Sequence, residues 1–236
     1  MKIKSSQPIL CLRPTQFSVG VLEVEHKVVE AQRLSRKKLA KLVRNTPVPI
    51  VVAPWGDLFV LDRHHFIFMC WHLKVRKLRV EIVKDYSQSK LSYREFWRRM
   101  VEDHCAHLYD QFGDGPREAL YLPHDIRGLA DDPYRSLAWM ARKEGAYENS
   151  DEKFAEFKWA DFFRNERLLA KHGRAGFVPA VKQAWTLARS RAAMKLPGYI
   201  APHLAKTDAP RSGRGKSAFI PEPQSTGDLA SIPTTK

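Results

Sequence analysis

The chain is short of cysteine: three in 236 residues, Cys11, Cys70 and Cys105. They are odd in number, lie far apart and form no CxxC pair. This excludes a disulfide framework and points to a reducing compartment. No uninterrupted apolar run approaches the roughly 18 residues a membrane helix needs. The opening stretch MKIKSSQPILCLRPTQ has no long apolar segment of the kind a secretory signal carries. A soluble, cytoplasmic protein without a membrane partner is therefore expected. No internal repeat is visible. Acidic residues are also scarce, 26 against 40 Lys/Arg, for a net charge of +14. Such a balance attracts phosphates, nucleic acid or anionic surfaces without naming one of them. The excess is uneven. From Lys171 to Lys236 there are eleven Lys/Arg against three Asp/Glu, so the last quarter holds more than half of it.

What the chain does have is core material. It is 44% hydrophobic and 11% aromatic, enough for one domain or a domain with an appendage. FSVGVLEV (17–24) is rich in β-formers and suits a short strand. Residues 25–44 read as one helix with an apolar face and a basic face, which carries seven Lys/Arg and one Glu from Lys27 to Arg44. "NTPVP" stops it. VPIVVA (48–53), the turn PWGD and LFVL (58–61) make a hairpin. HHFIFMCWHL (64–73) is apolar nearly all round and reads as a buried helix, and LRVEIVK (78–84) alternates like a strand.

The second half changes character. Ser92 and Glu95 have capping-box spacing, and Phe96, Trp97, Met100, Val101, Cys105 and Leu108 keep a helical period. FGDGP (112–116) is a loop. Further helices are expected over 133–144, 151–171 and 179–195. The Pro/Ser/Gly-rich end suits disorder. The expected organisation is an α+β domain over 1–88, a helical extension over 89–205 and a disordered basic tail over 206–236.

The chemistry sits in LFVLDRHHFIFMCWH (58–72), where Asp62, Arg63, His64 and His65 interrupt apolar sequence. Buried unpaired, such groups are costly, so the fold or a ligand must satisfy them. A strand running into a helix here places residues 62–65 at a helix N-terminus, which favours anions. Arg63 and the histidines suit phosphate oxygens, and either histidine suits proton transfer near neutral pH. Asp62 as a helix cap with two satisfied core histidines explains the same residues. A metal site fits poorly. Adjacent histidines diverge by about 100° on a helix, and His72 lies roughly 11 Å further along it. His104 and His107, three apart, suit an exposed helical face. Asp131, Asp132, Tyr134 and Arg135 form a polar group, in which an aspartate before Pro133 also reads as a cap.

RPTQFSVGVLEVEHK, PVPIVVAPWGDLFVLDRHH, LADDPYRSLAW and FAEFKWADFF, in that order over about residues 10–170, resemble the ParB-like protein family of the ParB/sulfiredoxin superfamily. The resemblance implies a small α+β, mixed-sheet domain, here followed by a mainly helical extension, whose strand-to-helix turn binds nucleotide phosphates. Many relatives have Asp-Gly-His-His-Arg where this chain has Asp62-Arg63-His64-His65-Phe66. Sulfiredoxin's nucleophilic cysteine falls at His64, so sulfinic-acid reduction is not expected, and no helix-turn-helix accompanies the domain.

By that resemblance His64, His65 and Glu23 are candidate catalytic residues. Asp62, Arg63, Lys27, Arg13 and Gln16 are candidates for phosphate or nucleotide binding. The implied ligand is a nucleotide (ATP, ADP or CTP) with Mg²⁺, or a phosphorylated small molecule. The implied reaction is phosphoryl transfer or phosphodiester hydrolysis, and no structural metal is expected. From charge rather than resemblance, nucleic acid is the alternative partner, met by the basic helix 27–44 through Arg33, Arg36, Lys37, Lys38 and Lys41, and by the tail. A scaffold of the same fold without activity is a further alternative.

Overall fold

The structure is a computed structural model that describes residues 3–169 and 176–201. The basic tail over 206–236 therefore lies outside the described residues. The first part is a curled mixed sheet of five strands: β1 (Ser6–Pro8), β2 (Leu12–Arg13), β4 (Val48–Val52), β5 (Leu58–Val60) and β6 (Lys77–Asp85). Their order is β1-β6-β4-β5-β2. β4 and β5 pair antiparallel, with Ile50 opposite Val60, whereas β4 and β6 run parallel. The hairpin closes over 53–57, with Gly56 at φ 94° in a conformation that glycine adopts without strain.

Alternation along the central strands divides the core. Val48, Ile50, Val52, Leu58 and Val60 face one side, where α1 (Val21–Gln32) and α3 (His64–His72) pack. Val51 and Phe59 face the other, against Phe96, Trp97 and Met100 of α4 (Tyr93–Glu102). Both sheet faces are thus covered, which is why VPIVV reads as an unbroken apolar run. A third core lies among α5 (Pro133–Lys143), α6 (Ala155–Asn165) and α7 (Phe177–Ala188). Leu22 of α1 reaches into it. β3 (Ser18–Val19) and β7 (Ala130–Asp131) form a short parallel ladder beside this junction.

Several elements differ from the sequence expectation. The strand over 17–24 shrinks to Ser18–Val19, and Val21, Leu22 and Val24 are helical. Packing overrides their β propensity, because Gly20 lies so close to α5 that a Cβ there would sit 2.8 Å from the Ser136 backbone nitrogen. The single helix over 25–44 is two, α1 and α2 (Arg36–Asn45). Ser35 starts the second by accepting a hydrogen bond from the Lys38 amide. The α4 capping box is present, but the helix stops at Glu102. His104 turns left-handed and the Cys105 amide bonds back to the Met100 carbonyl. His104 and His107 therefore do not share a helix. α6 starts at Ala155, well after Ser150, and α7 ends at Ala188.

Candidate functional site

β5 and α3 meet at Leu61, Asp62 and Arg63. Arg63 is left-handed, φ 71°, and takes the N-cap position with no side-chain cap. Among the described residues Asp62 accepts only from the next amide, through its Oδ1, so it does not cap α3. The first amides of the helix are left without intrahelical acceptors. Both Asp62 and Arg63 are exposed.

The two histidines are held by backbone. His64 is buried, and its Nε2 accepts from the Thr15 amide at 3.3 Å. Thr15 in turn bonds through its hydroxyl to the Val60 carbonyl. Burial pulls the His64 pKa down to about 4, so the ring is neutral at pH 7 with its proton on Nδ1. His65 Nε2 has two claimants, the Gly20 amide at 3.1 Å and Glu23 Oε2 at 3.3 Å. The Gly20 amide donates to Nε2, which puts the ring proton on Nδ1, and Glu23 Oε2 makes no hydrogen bond among the described residues. Burial, then the nearby Arg135 charge, hold the His65 pKa well below its usual value. Together the rings pin residues 15–20 against α3.

Behind them runs a chain of charges. Glu23, in the first turn of α1, meets Lys27 at 3.0 Å, His65, and Arg135 Nη1 at 3.3 Å. Arg135, from α5, also pairs with Glu156 of α6. Arg142, two turns further along α5, grips the other oxygen of Glu156 at 2.6 Å. Arg135 stays charged despite burial because two carboxylates flank it.

A cavity of about 430 Å³ opens between these groups. Gln16, Asp62, His64, His65, Arg135 and Arg142 line it, and residues 147–157, between α5 and α6, complete its wall. Gln16 Nε2 is turned to the Ser18 carbonyl. The structure therefore brings together Asp62, His64, His65 and Gln16, with Glu23 and Lys27 behind the His65 wall. Arg13 is not among them. It pairs with Asp57 at 2.5 Å and lies over the Phe59 ring, because β2 places it beside β5 away from the cavity. Arg36, Lys37, Lys38 and Lys41 are exposed on α2, and Arg33 pairs with Glu30 at the end of α1.

Sequence reasoning missed Arg142 and Glu156. The spacing of Arg135 and Arg142, seven apart on one helix face, was the available signal. Glu156 had none. Asp132 is a cap: it accepts from the Tyr134 and Arg135 amides, with Pro133 in the first turn, and it pairs with Arg164. Cys70 is buried, which pushes its thiol up to about 12. Among the described residues no three His, Cys, Asp or Glu are grouped to hold a metal ion, and no helix is long and apolar enough to cross a membrane.

Comparison with known proteins fits this architecture. The family model described as "Putative ParB-like nuclease" matches residues 6–165, spanning the sheet and the first helices of the extension. The crystal structure of protein Atu1540 from Agrobacterium tumefaciens is similar, with a TM-score of 0.74 and 34% identity. The match covers 84% of this chain and 96% of that one. No curated protein matches.

Proposed function

The chain belongs to the ParB-like nuclease family, and from that premise we propose that the cavity beside residues 62–65 binds a phosphate-bearing ligand. The observation that carries this reading is the cavity's position. It opens at the uncapped N-terminus of α3, where free amides and the helix dipole favour an anion. The ligand is a nucleotide or a phosphorylated small molecule, and the reaction is phosphoryl transfer or phosphodiester hydrolysis. The two histidines divide the work. His64, with Nε2 committed to Thr15, holds the turn. His65, with Nε2 accepting from the Gly20 amide, carries its proton on Nδ1, which is left to donate to a phosphate oxygen. Asp62 is the lining carboxylate suited to a Mg²⁺ that arrives with phosphates, and such an ion neutralises charge in the transition state.

The test is thermal unfolding of the full chain with ATP, ADP, CTP and GTP, each with and without Mg²⁺. A ligand of the native state at a hundred times its Kd adds about 2.7 kcal/mol. The expected result is a raised melting temperature with at least one nucleotide, and turnover that His65→Gln abolishes. If no nucleotide raises the melting temperature and no phosphomonoester does so, the reading fails.

A second reading is non-enzymatic nucleic-acid binding. One observation favours it: α2 presents Arg36, Lys37, Lys38, Lys41 and Arg44 to solvent with no acidic residue, and none makes an ion pair among the described residues. An affinity that falls steeply with salt and survives His65→Gln is its signature.

A further inference from the structure

The charges of the cavity are sorted by depth. Arg135 lies at its buried end, with its side chain 7% exposed. Its Nε has no acceptor, and Nη1, although 3.3 Å from Glu23, makes no hydrogen bond. Buried guanidinium donors without an acceptor among the described residues are costly, and Arg135 lines the cavity. Three cations, Lys27, Arg135 and Arg142, share two carboxylates, Glu23 and Glu156, while both histidines are neutral. The inner end is therefore one negative charge short. The outer end has the opposite sign. Glu148, Asp151 and Glu152 line the cavity there and are exposed, against one exposed lining cation, Lys153.

Resting on the phosphate reading above, we infer that Arg135 and Arg142 of α5 form the inner anion site, and that the preferred ligand is a phosphomonoester whose other end is cationic. A single phosphate supplies the missing charge and the bidentate acceptor that a guanidinium fork matches. An amine at the far end then faces the carboxylates of the mouth. A second anionic group would meet those carboxylates with like charge. The cavity, about 430 Å³, suits a compact molecule of this kind. The helical extension thereby supplies the substrate-holding residues, and the turn at 62–65 supplies amides.

The experiment is titration calorimetry on the full chain at moderate salt, with two probes of similar size. O-phosphoethanolamine carries an amine beyond its phosphate, and phosphoglycolate carries a carboxylate. The expected result is tighter binding of phosphoethanolamine, weakened about tenfold or more by Arg142→Gln, whose side chain is partly exposed. Arg135→Lys, which keeps the charge but loses the fork, is the second variant and is expected to weaken binding similarly. The tail's attraction for anions cancels between variants, and between the probes it favours the more negative phosphoglycolate, against the expected order. Equal affinity for the two probes overturns the charge selection, and unchanged affinity in both variants overturns the guanidinium assignment. If neither probe binds while a nucleotide does, this inference falls and the phosphate site stands. If no phosphate compound binds at all, both fall.

Discussion

Arg63 holds a left-handed backbone, φ 71°, at the position where the sequence comparison with the wider superfamily suggested glycine. A non-glycine residue there costs roughly 1 kcal/mol of strain. Arg63→Gly is accordingly expected to raise the stability in urea by about 0.5–1 kcal/mol, offset in part by the freer unfolded chain. A loss of stability would mean that the exposed guanidinium has a partner worth more than the strain. His64 makes a second prediction at this scale. Its folded pKa, about 4, lies below the unfolded 6.5, so between those values the unfolded state binds the extra proton. Stability is full above pH 6.5 and falls as pH drops toward 4, by roughly 3 kcal/mol for this one group. His107, also lowered to about 4 by burial, adds to the same window. Urea midpoints at pH 7 and pH 5 measure the fall, and His64→Gln should flatten it. Neither effect was legible in the string Asp62-Arg63-His64-His65. The string shows which groups titrate, but burial and the Thr15 amide decide where.

At the scale of elements, α1 is the piece that serves both halves. Its side chains pack on α3, and its first turn abuts α5 through Gly20 and Ser136. The Ser136 backbone cannot retreat, because it lies inside a helix whose residues are buried. Gly20→Ala is expected to cost about 2 kcal/mol through overpacking, seen as a lower denaturant midpoint with an unchanged slope. A neutral result would mean that α1 can slide on α5. Such sliding would also disturb the Glu23–Arg135 pair. The hairpin, α3, β6 and the α4 cap were readable because each is set by neighbours a few residues away. The start of α1 was not, because FSVGVLEV has the composition of a strand and only the approach of α5 makes it a turn and a helix.

Across the whole molecule, the sheet domain and the helical extension share the charge chain Lys27–Glu23–Arg135–Glu156–Arg142 and the β3–β7 ladder. Separating them would break the Glu23–Arg135 pair and expose the apolar contact of Leu22 with the helical core, a destabilising change. The full chain is therefore expected to unfold in one cooperative transition, and residues 1–88 alone to lack one. Calorimetry on the full chain and on residues 1–88 checks this, and two resolved transitions in the full chain would refute it. On the nucleic-acid reading of α2, duplex DNA measured by fluorescence anisotropy binds in a salt-sensitive way, and the triple change Lys37→Glu, Lys38→Glu and Lys41→Glu is expected to abolish that binding without altering the melting temperature. Persistence of that binding would place it in other basic residues.

Local sequence was enough for the α+β class, the two central strands, the buried helix after them and the location of the polar turn at 62–65. These follow from the periodicity of apolar residues and from turn and cap chemistry, which act over short stretches of chain. Tertiary structure alone decided what the turn faces. Arg13 was drawn away to Asp57, whereas Arg135, Arg142 and Glu156 were brought to the cavity from helices distant in sequence. The reason is physical. A pairing between charged groups on separate elements leaves no local pattern, and it exists only once the packing of α1 on α5 has removed the water between them.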